Sequence, residues 1–299
     1  KGLLNKLWVK GPRHPSVAGS RKSRAATVSV ASNSLLVAGK LAVGLLSGSV
    51  GIVAEAIHSA IDLVAAVIAW VSVRIADRPP DADQPFGHGK AESISGAVEA
   101  ALIVLAAVWI IYEAVHKLIA GGEVAHLSLA IGVMAVSAVV NFLVSRYLLR
   151  VAKEEDSLAL EADGHHLSTD VYTSVGVAIG LGLVWATGWV WLDAVVAMGV
   201  ALWIGFIGWR LVLRATDQLM DAGLPKDEVA RIEAILNDCP RILSWHDLKT
   251  RKAGSQRHIS LHAVFPPDIP LAEAHAVADE LEQRIAEAMQ PATVLIHQD

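Results

Sequence analysis

The sequence predicts an α-helical membrane protein, with six transmembrane helices followed by a small cytoplasmic α+β domain. Of its 299 residues, 54% are apolar, and the mean hydropathy of +0.47 is high for a soluble domain. Apolar stretches of the roughly 20 residues needed to cross a bilayer lie within the first 215 positions. Residues 221–299 instead carry 13 Asp/Glu and 8 Lys/Arg, which is typical of a water-exposed domain.

The apolar stretches predict six spans. Their ranges are 27–47, 50–75, 94–119, 127–149, 167–186 and 190–213. The joints at 47–51, 120–126 and 186–189 are short and nearly without charge. The other joints hold basic residues: Arg74, Arg78, Lys90, Arg146, Arg150, Lys153, Arg210 and Arg214.

This distribution of basic residues predicts the orientation, because Lys and Arg are enriched in cytoplasmic loops. Both termini are expected in the cytoplasm, with the chain crossing the inner (plasma) membrane several times. Residues 1–25 read as a basic cytoplasmic leader with seven Lys/Arg and no apolar core of a signal peptide. Residues 26–215 then form the transmembrane domain, and residues 216–299 form a cytoplasmic domain.

The polar tail predicts the element order α-β-β-α-β. Residues 225–238 have helical periodicity, and residues 244–254 and 255–265 alternate like two strands joined at Gly254. Residues 271–289 form a long amphipathic pattern, and residues 292–299 a final strand. This order favours a small α+β sandwich with helices on one face.

Cys239 is the only cysteine. The chain can therefore form neither an intrachain disulfide nor a thiolate metal cluster. Any metal site must be built from histidine and carboxylate side chains.

Two stretches share one frame of ionisable residues. AEAIHSAIDL (54–63) and ADGHHLSTDV (162–171) both place an acid, then a histidine, then an aspartate four residues later. Four-residue spacing puts His58 with Asp62, and His166 with Asp170, on one helix face. Two such faces together supply two nitrogen and two oxygen donors, a tetrahedral set for Zn²⁺ whose charge the two carboxylates cancel.

A polar residue within a span is often only a hydrogen-bonding contact between helices. Two copies in the same frame, each in the second span of a three-span half, favour a metal site instead. From the outer ends of the predicted spans, the first motif lies about 14 Å deep and the second about 28 Å. The two motifs can meet only if the helices tilt or if the second span begins further toward the outer side of the membrane than predicted.

Four protein ligands would leave no open position for an activated water, which argues against an enzyme. Reversible carriage fits better, because the same ligands bind protons when the metal leaves.

Together with the loop PFGHGKAES (85–93), the six spans and the His-rich tail, these motifs resemble the cation diffusion facilitator family, and in particular its zinc-transporting bacterial members. The resemblance implies a homodimeric metal/proton antiporter that exports Zn²⁺ from the cytoplasm, with no nucleic-acid partner. It also implies that residues 216–299 are a metallochaperone-like, metal-binding and dimerisation domain. His58 in the first motif implies a preference for zinc. Cd²⁺, Co²⁺ and Fe²⁺ accept the same ligands, so selectivity among these ions stays open.

The resemblance also implies three further sets of residues. Asp81 and His88 match the family's interspan metal site. Gln84 occupies the middle position of that site, and its amide is a poor Zn²⁺ ligand. Asp83 is the expected substitute donor. Lys90 and Asp221 match a salt bridge that holds two protomers together. The family's cytoplasmic zinc cluster corresponds to His246, His262, His275, His297 and Asp299.

Two other functions stay open at this point. An intramembrane metallo-hydrolase would need a vacant coordination position and a general base such as Glu55, and the HExxH pattern of zinc proteases is absent from the sequence. A membrane zinc sensor would bind metal in its tail and signal to a partner without transporting it.

Overall fold

The computed structural model describes residues 20–48, 50–120, 128–189 and 191–299. Six of its helices are long and apolar enough to cross a membrane, which confirms the predicted fold class. They are α1 (Arg21–Ser47), α2 (Val50–Ala76), α3 (Lys90–Ala120), α4 (Ser128–Glu155), α5 (Leu158–Thr187) and α6 (Trp191–Leu219). Residues 1–19 of the predicted leader, the predicted joint at 121–126 and the predicted first residues of spans four and six lie outside the described residues.

The tail has the predicted order of elements. It comprises α7 (Lys226–Asn237), β1 (Ser244–Ala253), β2 (Gln256–Val264), α8 (Leu271–Ala288) and β3 (Ala292–Gln298). The strand β1 pairs antiparallel with β2, and β2 pairs parallel with β3. Helix α8 makes the crossover that parallel strands require. Ile232 and Leu236 of α7 pack with Leu261 of β2 and with Leu281 and Ile285 of α8 to form the core.

Several membrane helices extend beyond their apolar stretches. Helix α5 begins at Leu158 rather than at 167, because Ser157 caps it by accepting a hydrogen bond from the Leu160 backbone N–H. Helix α1 begins at Arg21, inside the predicted leader, and α6 runs to Leu219, beyond the predicted limit at 215. Some polar residues in these extensions are paired: Arg214 of α6, for example, bonds to Glu161 of α5.

The tail docks against one end of the helix bundle through a backbone contact. A Cβ added to Gly89, just before α3, would lie 2.2 Å from the carbonyl oxygen of Ala253 in the β1–β2 hairpin. Lys252 in the same hairpin pairs with Asp156 between α4 and α5. We call this end of the bundle, where α1, α3 and α5 begin, the domain side, and the opposite end the far side.

Candidate metal sites

The two predicted motifs meet inside the bundle. Helix α2 carries His58 and Asp62, and α5 carries His166 and Asp170. The ligand atoms of His58, Asp62 and Asp170 all lie within 4.8 Å of one another. His166 Nε2 lies 3.1 Å from Asp62 Oδ1. The structure therefore brings all four predicted residues into one cluster, which we call the cage.

The contact between Asp62 and His166 explains the different depths of the two motifs. Helix α2 begins twelve residues before Asp62, whereas α5 continues for twenty-one residues beyond His166. The nine additional residues correspond to about 14 Å of helix. The motifs therefore meet because α5 extends further than α2 on the far side.

A neighbouring amide orients one of the cage carboxylates. Asn141 of α4 donates a hydrogen bond from Nδ2 to Asp170 Oδ2 at 2.9 Å. Partners that fix the direction of a carboxylate are typical of metal sites.

Sequence reasoning missed a lysine next to the cage. Lys40 of α1 is 5% exposed, and its Nζ lies 2.8 Å from Glu55 Oε1 and 2.7 Å from Ser59 Oγ. Lys40 and Glu55 line a small cavity together with His58 and Asp170. A lysine within an apolar span, facing an acid in the next span, is the sequence signal that could have identified this pair.

The interspan loop brings its two predicted residues close together. His88 Nε2 lies 3.4 Å from Asp81 Oδ2. The other carboxylate oxygen, Asp81 Oδ1, accepts hydrogen bonds from the backbone N–H groups of Asp83 and Gln84 at 3.0 and 2.7 Å. One oxygen of Asp81 is thus occupied by the turn, which leaves a single carboxylate oxygen beside one imidazole.

The tail cluster is set by the register of the sheet. His246 of β1 lies opposite His262 of β2, which in turn lies opposite His297 of β3. Asp299 Oδ2 lies 2.9 Å from His262 Nδ1 and 3.1 Å from His246 Nε2. Asp299 Oδ1 lies 3.3 Å from His297 Nε2. Three histidines on adjacent strands therefore converge on one carboxylate.

The electrostatics of the tail cluster favour an ionised carboxylate. The hydrogen bond from His262 lowers the pKa of Asp299 below its usual range. Asp247 lies at the β1 bulge, 4.0 Å from His262 Nε2, and was not predicted as part of this cluster. Its pKa is lowered mainly by a hydrogen bond from Lys249.

His275 lies to one side of this cluster. Its Nδ1 is 3.3 Å from Gln298 Nε2, and its Nε2 is 3.7 Å from Asp279 Oδ2 on the next turn of α8. The five residues predicted for the tail cluster therefore do not all meet in the single chain. His246, His262, His297 and Asp299 converge, whereas His275 contacts Gln298 and Asp279 instead.

Lys90 and Asp221 form an ion pair within one chain, at a distance of 3.0 Å. In the single chain this pair joins the start of α3 to the segment after α6, and its role in linking two protomers stays a prediction. Arg251 of β1 also contacts Asp221, at 3.1 Å. The hydrogen bond from Lys90 is the main reason that the pKa of Asp221 is lowered.

Comparison with known families matches nearly the whole described chain. Residues 26–220 match the family described as "Cation efflux transmembrane domain". Residues 224–299 match the family described as "Cation efflux protein, cytoplasmic domain".

Individual proteins show the same similarity. An uncharacterized transporter of Synechocystis sp., sll1263, is 36% identical over 259 residues, which cover 86% of this chain and 84% of that protein. The cation-efflux pump FieF of Salmonella newport is 32% identical over 281 residues, 94% of this chain and 93% of that pump. A solved structure of CzrB, described as a candidate zinc transporter, is 43% identical over 26% of this chain and 96% of that chain, with a TM-score of 0.25.

Six membrane-crossing helices with a cytoplasmic domain after them define the class of the protein: it is a multi-pass membrane transporter and not an enzyme. More specifically, the chain belongs to the cation efflux family, the cation diffusion facilitators. Its general activity is the efflux of divalent metal cations. The resemblance to this family that was inferred from the sequence is thereby confirmed.

Proposed function

We propose that this chain is a Zn²⁺/H⁺ antiporter that exports zinc from the cytoplasm through the cage. The observation that carries the proposal is the convergence of His58, Asp62 and Asp170 within 4.8 Å, with His166 in contact with Asp62. The two motifs come from different helices, so a relative shift of α2 and α5 would open or close the cluster.

The donor set supports zinc as the substrate. Two imidazoles and two carboxylates suit the tetrahedral coordination that Zn²⁺ prefers, and they neutralise its charge. Cd²⁺, Co²⁺ and Fe²⁺ accept the same donors and are the alternative substrates. FieF, the Salmonella relative, is named a cation-efflux pump, which agrees with transport out of the cell.

Competition for lone pairs supports proton coupling. Histidine and carboxylate bind metal only when deprotonated, so each metal that binds releases protons and each metal that leaves permits their return. The contact of His166 Nε2 with Asp62 Oδ1 at 3.1 Å is an arrangement in which a proton on the imidazole bridges the two groups.

We further propose that the protein lies in the inner (plasma) membrane with both termini in the cytoplasm. The domain side carries the basic joints, and the positive-inside rule places such joints in the cytoplasm. The family description of residues 224–299 as a cytoplasmic domain agrees with that orientation.

The chain is proposed to act as a homodimer through residues 216–299. In that domain His246, His262, His297 and Asp299 would hold structural zinc, since three nitrogen donors and one ionised carboxylate fit Zn²⁺. His275 would join a metal site only through a partner subunit or a movement of α8. The Asp81–His88 pair offers too few donors for a closed site and would bind zinc weakly.

Flux measured in sealed proteoliposomes tests the proposal. A zinc gradient should drive zinc across the membrane and move protons in the opposite direction, which is recorded with a pH dye inside the vesicles. Asp62→Ala and Asp170→Ala should abolish both signals. Zinc flux without proton movement would refute antiport, and tail binding without any flux would indicate a sensor.

A further inference from the structure

A second polar cluster lies inside the bundle, between the cage and the domain side. It consists of Ser29 of α1, Glu99 of α3 and Asp163 of α5. Ser29 and Glu99 are 0% exposed and Asp163 is 1% exposed. The two carboxylates are near enough to interact electrostatically, and Ser29 Oγ lies beside Asp163.

Three oxygen atoms of this cluster lack a hydrogen bond of good geometry. Glu99 Oε2, Asp163 Oδ2 and Ser29 Oγ are buried, and within the described part of the chain none has a well-aligned partner, although Ser29 lies within hydrogen-bonding reach of Asp163. Ser95 Oγ reaches only the other oxygen of Glu99, at 3.5 Å. Leaving buried carboxylate oxygens without a partner costs free energy, so this set of oxygens is suited to a cation.

Buried lysines do not neutralise the two acids. Within the described residues, two lysines are classed as buried, Lys22 and Lys40, and both are on α1. Lys22 Nζ bonds to Glu92 at 2.7 Å and also pairs with Asp77. Lys40 is bonded to Glu55 and Ser59 on the other side of the cage. Both ammonium groups are therefore engaged with other partners.

The repeated sequence motif shows on which side of the cage this cluster lies. Asp163 precedes His166 by three residues, as Glu55 precedes His58. Helix α2 runs toward the domain side and α5 runs away from it, so the two acids flank the cage on opposite sides. On the far side the charge of Glu55 is neutralised by Lys40. On the domain side Glu99 adds a second acidic group beside Asp163.

We propose that Ser29, Glu99 and Asp163 form a second cation site, which receives a divalent cation on the domain side before it reaches the cage. The inference rests on the proposed transport through the cage. Two carboxylates cancel the charge of a dication, and the hydroxyl adds a third oxygen. All-oxygen donors bind Zn²⁺ less tightly than a set with two imidazoles, so transfer from this loading site to the cage is downhill.

The first test measures binding and requires neither flux nor protons. The full chain in lipid nanodiscs carries Asp62→Asn and Asp170→Asn in the cage, and His246→Ala and His262→Ala in the tail. Equilibrium dialysis with radioactive Zn²⁺ should detect a remaining site, which Asp163→Asn or Glu99→Gln weakens by at least about tenfold. The control is Glu55→Gln, the same acid-to-amide change at the equivalent position on the far side, which should leave this binding intact.

Two binding results would overturn the loading site. One is equal zinc binding with and without Asp163→Asn, which would mean that the two acids hold only protons. The other is an equal loss of binding with Glu55→Gln. Amide replacements keep the size of each side chain, and thermal unfolding of each variant confirms that a loss of binding is not a loss of fold.

A second measurement tests the order of the two sites in the otherwise unchanged chain. Glu99→Gln should raise the zinc concentration for half-maximal flux about tenfold, with a smaller effect on the maximal rate. A fall in the maximal rate alone would contradict a loading role. If proton coupling fails while the dialysis result holds, the antiport proposal is wrong and the second site remains.

Discussion

Asn141 Nδ2 lies 2.9 Å from Asp170 Oδ2, so a helix that supplies no predicted ligand still orients one of the cage carboxylates. The hydrogen bond ties α4 to α5 at the level of the cage. The direction of the Asp170 carboxylate is therefore fixed by an amide outside the predicted ligand set.

Asn141→Ala should weaken the cage without removing a ligand. Loss of a partner that orients a metal ligand typically reduces metal affinity by about 10- to 100-fold, so the zinc concentration for half-maximal flux should rise by that factor. Ser137→Ala is the matched control, since Ser137 lies one turn away on α4 and its hydroxyl donates to the Val133 carbonyl. Equal effects of both changes would contradict the orienting role.

His58→Asp should broaden the choice of transported ion. The change replaces a nitrogen donor with an oxygen donor, which favours ions such as Mn²⁺ relative to Zn²⁺. Vesicle uptake of several divalent ions, with internal pH recorded at the same time, measures the ratio of rates. An unchanged preference would show that His58 does not set selectivity.

In the tail, His262→Ala should reduce zinc binding far more than His275→Ala. His262 contacts Asp299 at 2.9 Å, whereas His275 contacts Gln298 and Asp279. Isothermal titration of the full chain with Asp62→Asn and Asp170→Asn in the cage, and Asp163→Asn in the proposed loading site, removes the zinc binding expected inside the bundle. If both changes reduce binding equally, His275 is a ligand in the assembled protein.

Asp221→Asn should destabilise the junction between bundle and tail in a pH-dependent way. The carboxyl has a lowered pKa in the folded protein, so its contribution is full above its unfolded pKa of about 3.9 and is lost as the pH falls through the folded value. Because the pair is partly exposed, the expected loss at neutral pH is about 0.5 kcal/mol. Thermal unfolding at pH 7, at pH 3 and at lower pH measures the difference, which should decrease as the pH falls through the folded pKa.

The control for that prediction is Asp268→Asn, at an exposed position in the loop before α8. It should leave the unfolding temperature at pH 7 nearly unchanged. A loss for Asp221→Asn that persists below pH 3 would mean that packing, and not charge, accounts for the effect.

Gly89→Ala should separate the tail from the bundle. The new Cβ would lie 2.2 Å from the Ala253 carbonyl oxygen, and a backbone atom cannot move aside as a side chain can. Limited proteolysis of the hairpin around Gly254 should accelerate several-fold. Gly39→Ala, where a Cβ meets nothing within 4 Å, should behave like the unchanged protein.

The fold could be predicted largely from the sequence, because its signals are local. Apolar length indicates membrane spans, and alternation or helical periodicity indicates the tail elements. The start of α5 at Leu158 could not be predicted from such local signals, since Glu161 in its first turn is paired with a residue of another helix. Arg214, which bonds to Glu161, follows it by 53 residues.

The candidate cage could also be predicted, because its four residues repeat one spacing on two helices. The residues that surround the cage could not be predicted in this way. Lys40 and Glu55 belong to different helices, and the orphaned oxygens of Glu99 and Asp163 become evident only when three helices are packed together. Spacing along a chain defines which residues share a face, but packing decides which faces meet.

The junction at Gly89 and Gly254 has a mechanical consequence. There the two segments touch through main-chain atoms, which cannot absorb a displacement by changing rotamer. A tilt of the tail sheet would therefore displace the first turn of α3. Glu99 lies on the same helix, nine residues beyond Lys90, where α3 begins. A movement of the tail outside the membrane would therefore shift Glu99 inside the bundle.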